Sequence, residues 1–322
     1  MSLTQPKLQV IMPVYNAQLF LRETLSTLLQ QSFREWQLLI IDDGSSDDSL
    51  RIIKEHAASD NRIFWRSREN RGLIATLNEL VQWSTAPLLA RMDADDLNTL
   101  QRFEKQLNFL SLHPDVDMVG CWVKLFGSRE DLWRFRESDN NTKILSLFGR
   151  CCMLHASVIA KRKVFETIPF DYDYPHMEDF VFLSDIITQT QFRFGNVREV
   201  LYHYRQHENS IVYQNDAIRK KRYRELQIRH LKGLGVSLTK SEYEFYWHFL
   251  DGKSAGVILL SNIAAVLISI RRQLAKRLPD DYFEISLRWR QYCSANQQYQ
   301  LYDLCGAQGY CFLDQKKDCQ RV

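Results

Sequence analysis

The chain has 322 residues and an ordinary globular composition, 45% hydrophobic, 25% charged and 12% aromatic, which excludes collagen-like, disordered and coiled-coil architectures. Its net charge of +3 is unevenly placed: residues 215–322 carry 18 basic against 11 acidic side chains, and the first 214 carry 24 against 28. Neither balance is that of a nucleic-acid-binding protein, so no nucleic-acid partner is expected.

Residues 8–12 are a short apolar run closed by Pro13 and read as a strand. Residues 19–31 space Leu21, Leu25, Leu28 and Leu29 at helical intervals. Residues 36–41 form a second apolar strand ended by Asp42, with Ser46 or Asp47 placed to cap the next helix. A strand at 63–65, a helix at 72–83 and a strand at 87–92 follow. Strand and helix alternating in this way imply parallel strands joined by right-handed crossovers, with helices on both faces of the sheet. Beyond it the pattern predicts a helix at 100–112, strands at 118–126, 155–160, 192–197 and 200–204, and a helix near 179–188. From residue 216 the chain reads as helical, at 216–231, 241–250, 255–276 and 281–292, with a boundary near 208–216.

Ligands of open α/β sheets bind beyond the carboxyl ends of the strands. Three polar groups stand there in this sequence: Pro13-Val14-Tyr15-Asn16, then Asp42-Asp43-Gly44-Ser45-Ser46-Asp47, then Asp93-Ala94-Asp95-Asp96. Turn and cap chemistry would account for each alone. Turns do not require all three to converge on one sheet edge, where the carboxylates repel one another unless a cation sits among them. Their hard oxygens suit Mg²⁺ or Mn²⁺, ions that share their coordination with substrate phosphates. The residues therefore read as a metal–nucleotide site. No P-loop is present, and PVYN in place of G-x-G-x-x-G after the first strand argues against a dinucleotide-dependent dehydrogenase.

Seven segments, VIMPVYNA (10–17), IIDDGSSDDS (40–49), ENRGLIATLN (69–78), RMDADD (91–96), HASVIAKRKVFE (155–166), MEDFVF (177–182) and YHYRQHENSI (202–211), occur in an order and spacing that resembles the family-2 glycosyltransferases. The resemblance covers about residues 7–212 and implies the GT-A fold, an α/β nucleotide-sugar-binding domain (1–212), here followed by a helical C-terminal domain (213–322). It implies that Pro13 and Tyr15 line a nucleobase pocket, that Asp43 accepts from the base while Asp42 shapes the turn, and that Asp93 faces the ribose or the metal. Asp95 is the implied metal ligand, with Asp96 as the alternative and His207 beside metal or diphosphate. Glu178-Asp179 resembles the family's acid pair, with Asp179 as catalytic base, although Glu-Asp before a helix is also ordinary cap chemistry. Arg205 could offset phosphate charge, and His155 could shape the acceptor or sugar pocket.

The function implied is inverting, metal-dependent transfer of one sugar from a nucleotide-sugar donor, a UDP-sugar, to a hydroxyl of a cell-surface glycan such as lipopolysaccharide or capsule. Processive polymerisation is disfavoured, because Q-x-x-R-W is missing after Asp179. A sugar-phosphate nucleotidyltransferase would want a Gly-rich basic loop after the first strand, and PVYNAQ supplies neither feature. A non-catalytic nucleotide- or glycan-binding module would be expected to have lost an Asp of the acidic motif or the Glu-Asp pair, and both are present. The apolar stretch at 254–270 is short for a membrane span, contains Asn262 and reads as a buried helix. Basic residues around it suit peripheral contact with anionic lipid or a lipid-linked acceptor. Seven cysteines without a C-x-x-C read as reduced thiols, and no leader is apparent at the N-terminus, so a cytoplasmic location is expected.

Overall fold

A computed structural model describes residues 6–139, 143, 152–207, 216–274 and 282–296. These divide into two compact units, one holding 6–139, 152–207 and the start of a helix at 216, the other holding the helices from residue 220 onward. The expected boundary at 208–216 lies almost wholly outside the described residues.

The first unit is a three-layer α/β structure. Its strands are β1 (Leu8–Val14), β2 (Trp36–Asp42), β3 (Ile63–Ser67), β4 (Leu88–Arg91), β5 (Leu97–Asn98), β6 (Met118–Gly127), β7 (Asp131–Trp133), β8 (Ile159–Lys161) and β9 (Phe194–Gln206). They form one sheet in the order β3-β2-β1-β4-β8-β6-β9-β5, with β7 pairing on β6. β3, β2, β1 and β4 run parallel, linked by α1 (Leu21–Leu29), α2 (Ser49–Ser59) and α3 (Leu73–Trp83). Every residue of β1 is buried, as expected of a central strand covered on both faces. β8 then inserts antiparallel between β4 and β6, which makes the sheet mixed. α4 (Arg102–Leu112), α5 (Arg162–Thr167) and α6 (Glu178–Gln189) complete the unit.

Local bonding corrects the expected elements in four places. The strand expected at 155–160 is a 3₁₀ turn, His155–Ser157, followed by β8. Both the amide and the hydroxyl of Ser157 donate to the Leu154 carbonyl at 2.9 Å, closing the turn before extended pairing begins. The two strands expected at 192–197 and 200–204 are one strand, β9, whose irregularity falls where its pairing with Cys121, Trp122 and Val123 of β6 shifts register. The N-cap position of α2 is Asp48, which makes no side-chain cap bond, and Asp47 just before it accepts from the amides of Gln18 (3.0 Å) and Ser49 (2.9 Å). β5, β7 and α5 are too short to leave a periodic signal and were not foreseen in the pattern.

The second unit contains α7 from residue 220 of Asp216–Gly233, α8 (Lys240–Leu250), α9 (Val257–Leu274) and α10 (Tyr282–Ala295). α8 opens with a capping box between Thr239 and Glu242. α9, the apolar stretch, buries Leu260, Ile263, Leu267 and Ile270 and turns Asn262 outward. Tyr243, Tyr246 and Phe249 of α8 and Trp289 and Tyr292 of α10 are buried in the same unit, with Phe249 edge-on to Tyr292 at 5.0 Å. No described helix is long and apolar enough to cross a membrane. Cys121, Cys152 and Cys293 are free and buried, and burial pushes their thiols up to about 11, 12 and 12.

Candidate functional site

The loops after β1 and β2 are stitched together by their own short polar side chains. The Asn16 amide donates to Ser45 Oγ (2.9 Å), the Ala17 amide to Ser49 Oγ (2.8 Å), and the Ser46 amide to Asn16 Oδ1 (2.9 Å). Asn16 adopts φ +49°, a left-handed conformation that asparagine tolerates better than most residues. This turn chemistry leaves Pro13 buried and Tyr15 55% exposed at the sheet edge.

Asp42 and Asp43 are both buried at the end of β2. Asp42 Oδ1 accepts from the Ser45 amide at 3.2 Å, and Oδ2 from the Ser67 hydroxyl at 2.7 Å. Asp43 accepts the amides of Arg71 and Gly72, each at 2.9 Å, and the guanidinium of Arg68. Arg68 also reaches Glu79 (2.8 Å) and Thr76 Oγ1 (3.0 Å). Gly44 sits at φ +75°, and a Cβ there would meet the Asn70 amide nitrogen at 2.8 Å, so the close approach of the two loops requires glycine.

Asp93, Asp95 and Asp96 follow β4, with one carboxylate oxygen of each within 4.8 Å of the others. Asp96 lies innermost and fully buried, accepting from the Tyr202 hydroxyl (2.7 Å) and the Arg205 amide (2.8 Å). Burial, and then the charges of Asp95 and Asp93, hold it well above the usual carboxylate range. Asp95 is half-buried, 2.9 Å from His207 Nε2, and is likewise raised by burial and by Asp93 against the opposing pull of His207. Asp93 pairs with Arg91 at 2.5 Å, and its amide donates to the Tyr202 hydroxyl at 3.3 Å. Three mutually repelling hard-oxygen donors are a set that Mg²⁺ or Mn²⁺ fits. The Arg205 guanidinium donates to the Asp95 carbonyl (2.7 Å) and to Glu23 (2.5 Å) and lies over the rings of Phe20 and Phe126.

Glu178 and Asp179 occupy the first turn of α6, whose N-cap is Met177 with no side-chain cap bond. The helix dipole favours negative charge at that end. Asp179 is exposed and its Oδ1 accepts from the Phe180 amide at 2.7 Å. Glu178 is half-buried and pushed up to about 7 by burial and then by Asp179, while Arg91 pulls it down and Asp93 raises it. His155 is buried between Phe170 and Phe182, both centroids at 5.2 Å, and is held neutral by burial and by Arg91.

Sequence reasoning did not single out Arg68, Arg91 or Tyr202. Arg91 stands inside RMDADD, where it pairs with Asp93, and Tyr202 stands inside YHYRQ, with its partner Asp96 at another strand end.

The sequence profile described as "Glycosyl transferase family 2" matches residues 9–173. The chain is 28% identical over 232 residues to the bifunctional glycosyltransferase pgtA of Dictyostelium discoideum, covering 60% of this chain and 30% of that one. It is 25% identical over 205 residues to the Escherichia coli UDP-Glc:alpha-D-GlcNAc-diphosphoundecaprenol beta-1,3-glucosyltransferase WfgD, covering 63% and 78%. The matches to the first curated relatives span less than half of those proteins' lengths, at 30%, 44% and 23%. Among solved structures, S. aureus TarS residues 1–349 in complex with UDP-GlcNAc superposes with a TM-score of 0.61 at 16% identity, covering 97% of this chain and 95% of that one. The likeness establishes the GT-A fold.

Proposed function

The chain belongs to glycosyl transferase family 2, and we propose that it transfers a single sugar from a UDP-sugar to a hydroxyl of a cell-surface glycan, with inversion at the anomeric carbon. The observation that carries this reading is the convergence of the acidic triad, the Asp42-Asp43 turn and the exposed Tyr15 ring on one sheet edge, with Glu178 within electrostatic reach of Asp93. The co-crystallised UDP-GlcNAc of TarS and the UDP-linked donor named for WfgD support a uridine donor, and the diphosphoundecaprenol acceptor of WfgD supports a lipid-linked glycan as acceptor.

Each side chain has a defined task in this reading. Tyr15 offers its ring face to the base. Asp43, fixed by two amides and Arg68, accepts from the base, and Asp42 holds the turn that aims it. Asp95 and its neighbours Asp93 and Asp96, with His207 beside them, would hold Mg²⁺ or Mn²⁺. When bound, such a cation neutralises the diphosphate leaving group. Asp179, exposed at the start of α6, accepts the proton of the acceptor hydroxyl as that oxygen attacks the anomeric carbon from the face opposite the diphosphate. Attack from the opposite face inverts the configuration. Glu178 is the next base in line.

The sugar-binding domain is taken as residues 1–212, with 213–322 as a helical domain whose basic residues approach an anionic inner membrane surface from the cytoplasm. A thermal-shift screen of nucleotide sugars, with and without Mn²⁺, tests the donor assignment. Stabilisation by UDP-sugars alone, and only with the cation, is expected. Stabilisation by a guanosine- or cytidine-linked sugar instead would overturn the uridine assignment.

A further inference from the structure

Asp43, the residue read as the base acceptor, is not an open carboxylate. Arg68, which follows β3, faces it with a guanidinium whose side chain is 13% exposed, and every nitrogen of that guanidinium is engaged. Nη1 donates to Asp43 Oδ1 and to the Glu69 carbonyl (3.0 Å), Nη2 to Thr76 Oγ1 (3.0 Å), and Nε to Glu79 (2.8 Å). The Arg68 amide donates to the Asp42 carbonyl at 3.2 Å. Arg68 thus ties the end of β2 to α3, with its charge compensated by two carboxylates.

The same bonds limit what Asp43 can do. A carboxylate offers about four lone-pair positions, two on each oxygen. Oδ1 accepts from the Arg68 guanidinium and the Arg71 amide (2.9 Å), and Oδ2 from the Gly72 amide (2.9 Å). One acceptor position remains, on Oδ2. The nucleobases differ in the donors they bring to it. Uracil has a single N–H, its imide, between two carbonyls. Guanine has two side by side, the ring N1–H and the exocyclic amino group, which an open carboxylate answers with both oxygens. With Oδ1 filled, Asp43 satisfies the one donor of uracil and leaves one guanine donor unpaired, which costs affinity.

We propose that Arg68 is a positioning residue that sets base selectivity: by filling Oδ1 it reduces Asp43 to a single acceptor, matched to uracil and mismatched to guanine. The proposal rests on the reading of Asp43 as the residue that accepts from the base. A staple that only stiffened the loop would strengthen every nucleotide alike. Arg68 should instead act on the ratio between two nucleotides.

The test is calorimetric titration of UDP and of GDP, in Mn²⁺, into the full-length parent, Arg68→Met and Arg68→Lys. The parent should bind UDP more tightly than GDP by on the order of 10-fold or more, the cost of an unpaired donor. R68M keeps much of the side-chain length but frees Oδ1, so the preference for UDP should shrink on the order of 10-fold, whatever happens to the two affinities separately. R68K guards against a loss of folding in R68M. Its ammonium has no fork to hold Asp43, Glu79 and Thr76 together, so the preference should shrink by a smaller factor, about 3-fold. Both nucleotides weakened equally, with the ratio unmoved in either variant that folds, would overturn the role of Arg68. A parent that binds GDP more tightly than UDP would instead remove the uridine reading itself.

Discussion

At the scale of single residues, Glu178 and Asp179 are adjacent in sequence but live in different surroundings, and the difference is testable by pH. Burial lifts Glu178 from 4.5 to about 7, whereas Asp179 is exposed beside it. Because the folded value lies above the unfolded one, the contribution of Glu178 to stability is complete below about 4.5 and is lost as pH rises through about 7. Glu178→Gln removes that loss, so in urea denaturation its stability relative to the parent should improve between pH 5 and pH 8; a constant difference across that range would contradict the burial of this carboxyl. If the pair must be ionised for transfer, kcat/KM of the parent should fall about tenfold per pH unit below its acidic limb near pH 7. Asp179→Asn keeps the size of the side chain but cannot take the proton. Transfer should drop on the order of 10²-fold or more with UDP affinity nearly unchanged, and activity within a few-fold of the parent would move the base to Glu178.

At the scale of elements, the site is held by long-range hydrogen bonds that cross the sheet. Tyr202 on β9 fixes both Asp96 and the Asp93 amide across more than a hundred residues of sequence. Tyr202→Phe leaves a buried carboxylate short of one donor. A loss of about 1–3 kcal/mol in urea denaturation is expected, with unchanged m-value. Asn78 on α3 acts similarly on the acid-pair side, donating from Nδ2 to the Phe170 carbonyl and accepting the Phe170 amide at Oδ1, both at 2.9 Å. Phe170 in turn stacks on Phe182 of α6 at 4.7 Å. Asn78→Ala should lower kcat more than it weakens UDP binding, since the loosened segment leads to α6 and not to the triad; equal losses in both would contradict that division.

The same elements explain what could be read in advance. Strand ends and their polar turns are local features, written in apolar runs stopped by Pro13, Asp42 or Asp93, and so the three convergent loops were legible. The antiparallel insertion of β8 between β4 and β6 was not, although a strand was expected at 155–160, because its pairing depends on partners 40 to 73 residues away. Arg91 and Tyr202 were also passed over. Tyr202 bonds Asp96 from 106 residues away, which sequence proximity does not reveal, whereas the Arg91–Asp93 pair lies within one motif and was overlooked. Arg205 shows the converse, a cation near a phosphate motif with two of its donors engaged by Asp95 and Glu23 inside the fold.

At the scale of the whole molecule, the helical unit bears on the proposed contact with a membrane surface. α9 buries one face in its own unit, and Asn262 lies on the exposed face, together with Ile258 at 82% exposure. A span would place Asn262 in hydrocarbon without a partner, and the packed helix avoids that cost. The full-length protein should purify without detergent, and binding to vesicles of anionic lipid should weaken as salt rises, as screened charge attraction does. Vesicle binding unaffected by high salt and reversed only by detergent would show insertion instead.

The acidic triad ties these scales together, because it is built by β4, clamped by β9 and gives the sheet edge its chemistry. Calorimetric titration of UDP into the full-length protein, in Mn²⁺ and in EDTA, tests its role most directly. Binding should be much tighter with the cation, and Asp95→Ala should abolish the difference. Equal affinity in Mn²⁺ and EDTA for the parent would contradict a metal-held nucleotide at this site.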